Sequence, residues 1–189
     1  LSSYEKAKEV LNKNGYAILR EVLMEDNYLS NDDSFSVTKQ NVAKKVAGSI
    51  LIRSLTNEAG KSKHLVVYKD KTYDEFGNVI EEDKTQVEVM DPQKIQKILG
   101  KFGFSSWVKV RTMLHVFTND TREVCLQEVE NLGLFFEYEE DESHKGLETQ
   151  EKIEVMKKEM LALNLRLDDD YFVKKLELIA EKNQESEIE

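Results

Sequence analysis

Residues 84–90 alternate polar and apolar side chains. Lys84, Gln86 and Glu88 fall on one face, and Thr85, Val87 and Val89 on the other, the period of a half-buried strand. Runs rich in β-branched and large apolar residues predict further strands over 16–28, 49–55 and 64–70. Three more follow in succession at 107–118, 123–129 and 134–139, the last two joined by a turn at Asn131-Leu132-Gly133. Helical spacing appears at Ala7, Val10 and Leu11, behind a cap at Ser2 or Ser3 and before a stop at Asn14-Gly15. One or two turns fit 40–46, closed by Gly48. Asp91-Pro92 starts a helix reaching about Phe102, with Ile95, Ile98 and Leu99 as its expected buried stripe. Residues 147–163 carry Ile153, Met156, Met160 and Leu163 on one side, and a last helix behind Asp168 or Asp169 carries Phe172, Leu176 and Ile179. Residues 182–189 are polar and predicted to fray.

Strands linked by short turns imply antiparallel pairing. Phe76-Gly77-Asn78 marks one such turn. Residues 57–63 form another, containing Gly60-Lys61-Ser62; a phosphate-binding P-loop would need a glycine where Leu55 stands and a helix where a strand follows. The fold class is α+β. Its sheet has two solutions: an open sheet with its charged face in water, or a closed antiparallel β-barrel with a polar interior and helices over its apolar exterior. Residues 1–141 are expected to form the sheet domain, and 142–189 to be C-terminal helices packing on the same domain.

Composition narrows the function classes. At 189 residues, 40% hydrophobic and 34% charged, the chain suits a globular domain. A net charge of −10 argues against a nucleic-acid binder, although it does not exclude a local basic pocket. No apolar run is long enough to span a membrane, no leader pattern opens the sequence, and the expected compartment is the cytoplasm. The single cysteine, Cys125, excludes an intramolecular disulfide and a cysteine zinc cluster, and reads as a buried, inert thiol.

Charged residues recur at alternating strand positions. The cations are Arg53, Lys69, Lys84, Lys109 and Arg111; the carboxylates are Asp26, Glu88, Glu137 and Glu139. Inside a barrel, so many cations would repel unless an anion lay among them. A triphosphate meets that demand, and arginine suits bidentate phosphate contact. Carboxylates beside it would suit Mg²⁺ or Mn²⁺, which prefer oxygen ligands. On an open sheet the same residues are solvent-facing salt-bridge ladders. His64, His115 and His144 show no metal or triad spacing; His115 shares the parity of Lys109 and Arg111 and is a candidate for the same lining.

Several segments resemble one family in the right order. Residues 126–139, L-Q-E-V-E-N-L-G-L-F-F-E-Y-E, are similar to the L-D-E-V-E-G-L-G-x-F-x-E-I-E of the CYTH family. That family joins class IV adenylate cyclases with thiamine and inorganic triphosphatases, the triphosphate tunnel metalloenzymes. Lys109-Val110-Arg111 resembles its K-x-R, Val66-Val67-Tyr68-Lys69 its L-T-Y-K, and Ile50-Leu51-Ile52-Arg53 its L-R-I-R. Asp26-Asn27-Tyr28-Leu29 resembles D-x-Y-F, and residues 84–88 resemble R-x-E-x-E. The resemblance implies an eight-stranded closed tunnel. It implies that Arg53, Lys69, Lys84, Lys109 and Arg111 hold phosphates, and that Glu88, Glu137 and Glu139 hold Mg²⁺ or Mn²⁺.

The departures are specific. Leu51 replaces the first arginine of L-R-I-R, Gln86 the first glutamate of R-x-E-x-E, and Gln127 the metal-binding aspartate. The family's E-x-E-x-K strand, ahead of the first helix, is not in this sequence; either it precedes Leu1 in the native protein or this member lacks it. The expected function is divalent-metal-dependent hydrolysis of a small triphosphate: tripolyphosphate, thiamine triphosphate or a nucleoside triphosphate. The alternatives are a class IV adenylate cyclase and a non-catalytic polyanion or nucleotide binder. No nucleic-acid or membrane partner is expected, and exposed strand edges would invite pairing into a homodimer.

Overall fold

Ser3 opens the first helix, α1 (Tyr4–Lys13): its side chain accepts from the Lys6 backbone N–H, and the chain turns at Gly15 with φ +82. The computed structural model describes residues 3–34, 36–38, 40–73, 79–168 and 175–186. After α1 come β1 (Ala17–Ser30), α2 (Val42–Ala47), β2 (Ile50–Asn57), β3 (Ser62–Tyr73), β4 (Val79–Val89) and α3 (Pro92–Lys101). Then follow β5 (Ser105–Thr118), β6 (Glu123–Val129), β7 (Gly133–Glu137), a short 3₁₀ turn (Glu142–His144), α4 (Thr149–Ala162) and α5 (Lys175–Ser186).

The strands form one seven-stranded sheet in the order β4-β3-β2-β1-β5-β6-β7, and the four pairings β2–β3, β3–β4, β5–β6 and β6–β7 are antiparallel. The expected eight-stranded closed barrel is not what the described strands form. Closure needs hydrogen bonds between the two ends of the order, and β4 and β7 are ends, not neighbours. The Phe76-Gly77-Asn78 turn lies outside the described residues.

The chain divides into two units, Leu1–Val22 with Thr112–Tyr171, and Leu23–Arg111 with Phe172–Glu189. The first has a core of Ala7, Leu11, Tyr16, Phe117, Val124, Leu126, Leu163 and Leu165. Leu11, Phe117 and Leu126 are fully buried, each contributing about 2–3 kcal/mol by removal of apolar surface from water. The stripe expected on α4 is half-buried and ends at buried Leu163. At the β6–β7 turn Asn131 and Gly133 both take positive φ, 64 and 109.

The second unit has a smaller cluster, Leu51, Leu65 and Val67, with Tyr28 and Leu55 packed against it. Asp91 caps α3 by accepting from Lys94 N, with Pro92 at its first position. The buried stripe expected on α3 is not buried: Ile98 is 52% exposed, and Ile95 and Leu99 are only half-buried. Periodicity selects a helix face but does not ensure that anything covers it. Gly60-Lys61-Ser62 lies in the β2–β3 hairpin, where Asn57 accepts from Lys61 N, and a strand follows. On α5, Leu176 and Ile179 are half-buried and Ala180 is buried; Asp169 and Phe172 lie outside the described residues. The helix continues to Ser186, further than the polar composition from residue 182 predicts.

Candidate functional site

In the second unit, strand register decides which side chains share a face. Arg53 opposes Leu65, Leu51 opposes Val67, and Leu55 opposes Lys63. Across the next pair, Leu65 opposes Glu88, Val67 opposes Gln86, and Lys69 opposes Lys84. Arg53, Lys63, Lys69, Lys84 and Glu88 therefore lie on one face, around the apolar cluster of Leu51, Leu65 and Val67. Sequence reasoning missed Lys63, although its even spacing from Lys69 carried the signal.

Arg53 makes a two-pronged contact with Asp26 on β1, Nε to Oδ1 and Nη2 to Oδ2, both at 2.7 Å. Asp26 is buried, so the pair lies largely out of solvent. Lys63 pairs with Glu88 at 3.1 Å. Directly opposite Lys69 stands Lys84, and like charges facing each other across a strand pair destabilise it. Arg111 lies 3.7 Å from Glu25, the residue preceding Asp26 on β1. Consecutive strand residues project to opposite faces, so Arg53 and Arg111 meet β1 on opposite sides. Lys109 and Arg111 are exposed on β5.

The first unit holds the other candidates. Gln127 is buried, and its Nε2 donates to the Glu137 carboxylate. Glu137 ends β7, so Glu139, expected to share its face, lies beyond the strand and is exposed. His115 opposes Leu126, a member of the core cluster that includes Ala7 and Leu11 of α1. It is buried, with Nδ1 2.5 Å from Glu21 Oε1, Nε2 3.0 Å from Glu128 Oε2, and the Tyr4 ring 4.1 Å away between centroids. Burial first, then the carboxylates of Glu21, Glu5 and Glu128, push the Tyr4 phenol up. Glu21 and Glu128 were also missed; only three-dimensional packing joins them. Cys125, read as buried, is half-buried, and its thiol lies 3.5 Å from Leu126 O.

Around Arg122 a third cluster is closed on itself. Its guanidinium donates to Asp141 and Glu159 at 2.7 Å and to Ser143 at 3.1 Å, and stacks 4.9 Å over Tyr138. His144 Nδ1 accepts from Asp141 N at 3.0 Å, and Nε2 donates to Glu159. The Ser143 hydroxyl first, then the Ser143 backbone and Arg122, hold the Asp141 carboxyl down to about 2.

The expected divalent ion finds a poor donor set. Glu137 accepts from an amide, Glu88 is ion-paired, and among the described residues no three His, Cys, Asp or Glu side chains gather to hold a metal. The residues present do not fit the ion.

No protein-family model matches the chain. A protein of Methanocaldococcus jannaschii named as a putative adenylate cyclase is 28% identical over 168 residues, 87% of this chain and 85% of that protein. That printed name is consistent with the resemblance of the sequence segments to the CYTH family. The fold of this chain is shared with a Pyrococcus horikoshii protein at TM-score 0.67 and 22% identity, covering 95% of both chains. A Vibrio parahaemolyticus structure described as a putative adenylate cyclase matches at TM-score 0.56 and 13% identity, covering 90% of both. Among the described residues, no helix is long and apolar enough to cross a membrane.

Proposed function

We propose that this chain binds a triphosphate-bearing small molecule at the face of β2, β3 and β4 that carries Arg53, Lys69 and Lys84. The observation that carries the reading is the Lys69–Lys84 opposition. Lys69 and Lys84 share that face with Arg53, so a polyanion there meets cations from three neighbouring strands. The name of the Methanocaldococcus relative makes ATP the first ligand to test, beside tripolyphosphate and thiamine triphosphate. Isothermal titration of each ligand against the chain is the experiment. Saturable binding that weakens about tenfold or more in Lys69→Ala supports the reading, since a charge-assisted contact is worth about 1.5–3 kcal/mol. Absence of saturable binding for all three ends it.

The expected metal-dependent hydrolysis and the alternative cyclisation stand as readings of turnover. Phosphate release and cyclic AMP formation, each assayed with Mg²⁺ or Mn²⁺, separate them. The Gln127–Glu137 contact favours a binder without turnover, because an amide there withholds a carboxylate that metal-assisted chemistry would need.

A further inference from the structure

We infer that Gln127 closes the divalent site implied by the family resemblance, so that this chain holds its triphosphate as the metal-free anion. The inference rests on the triphosphate reading for its ligand, but its structural half stands on one contact. An aspartate at position 127 would set a second carboxylate near Glu137, and two close carboxylates repel unless a proton or a cation lies between them. The Gln127 amide brings its own positive end instead. Its Nε2 donates directly to Glu137 from a buried position on β6, and strand pairing sets the contact: Gln127 opposes Phe135, so Glu137 follows two residues on along the same face. The neutral donor takes one of the acceptor positions on Glu137 that a divalent ion would otherwise use. With Glu88 turned to Lys63, two of the three expected ligands have partners on this chain. The phosphate charge is then left to the cations of the β2–β3–β4 face, Lys69 and Lys84 among them.

Mn²⁺ titration of the full chain, read by electron paramagnetic resonance without triphosphate, tests the structural half. Wild type is expected to show no saturable site that depends on Glu137. Gln127→Asp is expected to gain one, tightened about tenfold or more; Gln127→Glu serves the same purpose if the aspartate variant does not fold. Saturable Mn²⁺ binding by wild type that Glu137→Gln abolishes overturns the inference. So does failure of both acidic variants, correctly folded, to gain a site. Tripolyphosphate titration in EDTA tests the other half. Binding there supports metal-free capture. Binding that appears only with Mn²⁺ overturns it while leaving the triphosphate reading intact. Absence of binding under both conditions ends the triphosphate reading, and the Mn²⁺ titration still decides the role of Gln127.

Discussion

Both units close ion pairs, Arg53 on Asp26 and Lys63 on Glu88 in the second, but they differ in what else they place beside them. In the first, ion pairs close on themselves: Arg122 among Asp141, Glu159 and Ser143, His115 between Glu21 and Glu128, Gln127 against Glu137. These groups sit beside a core that includes three fully buried large side chains, Leu11, Phe117 and Leu126. The second unit has a smaller cluster around Leu51, Leu65 and Val67, buries Leu29 and Val42 besides, and leaves Met90 fully exposed and Phe102 73% exposed. It also sets Lys69 opposite Lys84. A polar network whose members satisfy one another rigidifies a fold. Cations gathered on one sheet face favour a bound anion. On the proposed reading the first unit is scaffold and the second offers the charged face.

The largest expected effect tests the scaffold. Phe117→Ala should cost about 4 kcal/mol in urea unfolding, whereas Leu65→Ala in the smaller cluster should cost about 2 kcal/mol. Equal costs would erase the contrast between the cores. Next comes the Arg122 cluster. Arg122→Ala strands Asp141 and Glu159 together, and the pair is partly solvated, so the loss should be about 2 kcal/mol. Tripolyphosphate affinity should not change. A large affinity loss in this variant would mean that the division between scaffold and binding face is wrong.

Much of this architecture could be read before the structure. Ser3 and Asp91-Pro92 announced their helices because caps are local chemistry, and β6 fell at 123–129 because turn residues bound it on both sides, Asn119-Asp120 before it and Asn131-Leu132-Gly133 after. The exposure of Ile98 was not legible, since periodicity names a face and not its cover. Glu139 was misread for a related reason: E-Y-E keeps strand parity in sequence, yet the backbone leaves the sheet after Glu137. In the candidate site, the residue types of Arg53, Lys69 and Lys84 were visible, but Lys69 facing Lys84 is a matter of register. Gln127 was visible as a departure. Its donation to Glu137 was not, because the sequence identifies a side chain and not its partner.

The acid limb of stability should also separate the units. Asp141 has its pKa held at about 2 in the folded chain, below its ordinary 3.8, so the unfolded chain takes up its proton first as pH falls. Its contribution is complete above 3.8 and is lost as pH drops toward about 2. Asp141→Asn should lower stability at neutral pH and flatten the decline across that window, followed by thermal unfolding at several pH values. An unchanged slope would show that the Ser143 and Arg122 contacts do not set the acid behaviour.

The smallest expected effect bears most directly on function. Lys84→Gln removes one of two opposed ammonium groups while keeping a side chain of similar length. If the pair is a strained anion seat, the variant should be more stable than wild type by about 0.5 kcal/mol without ligand. It should also lose most of the stabilisation that tripolyphosphate confers, which for a ligand at a hundred times its Kd is about 2.7 kcal/mol. A neutral surface position gives neither change, and a structural lysine gives the first with the opposite sign. Only a residue under selection for its ligand raises the stability of the empty chain when it is removed and lowers that of the filled one. Thermal melts of the two proteins, with and without tripolyphosphate in EDTA, read all four states. A lower midpoint for Lys84→Gln with an undiminished ligand response would return this face to an ordinary solvated ladder.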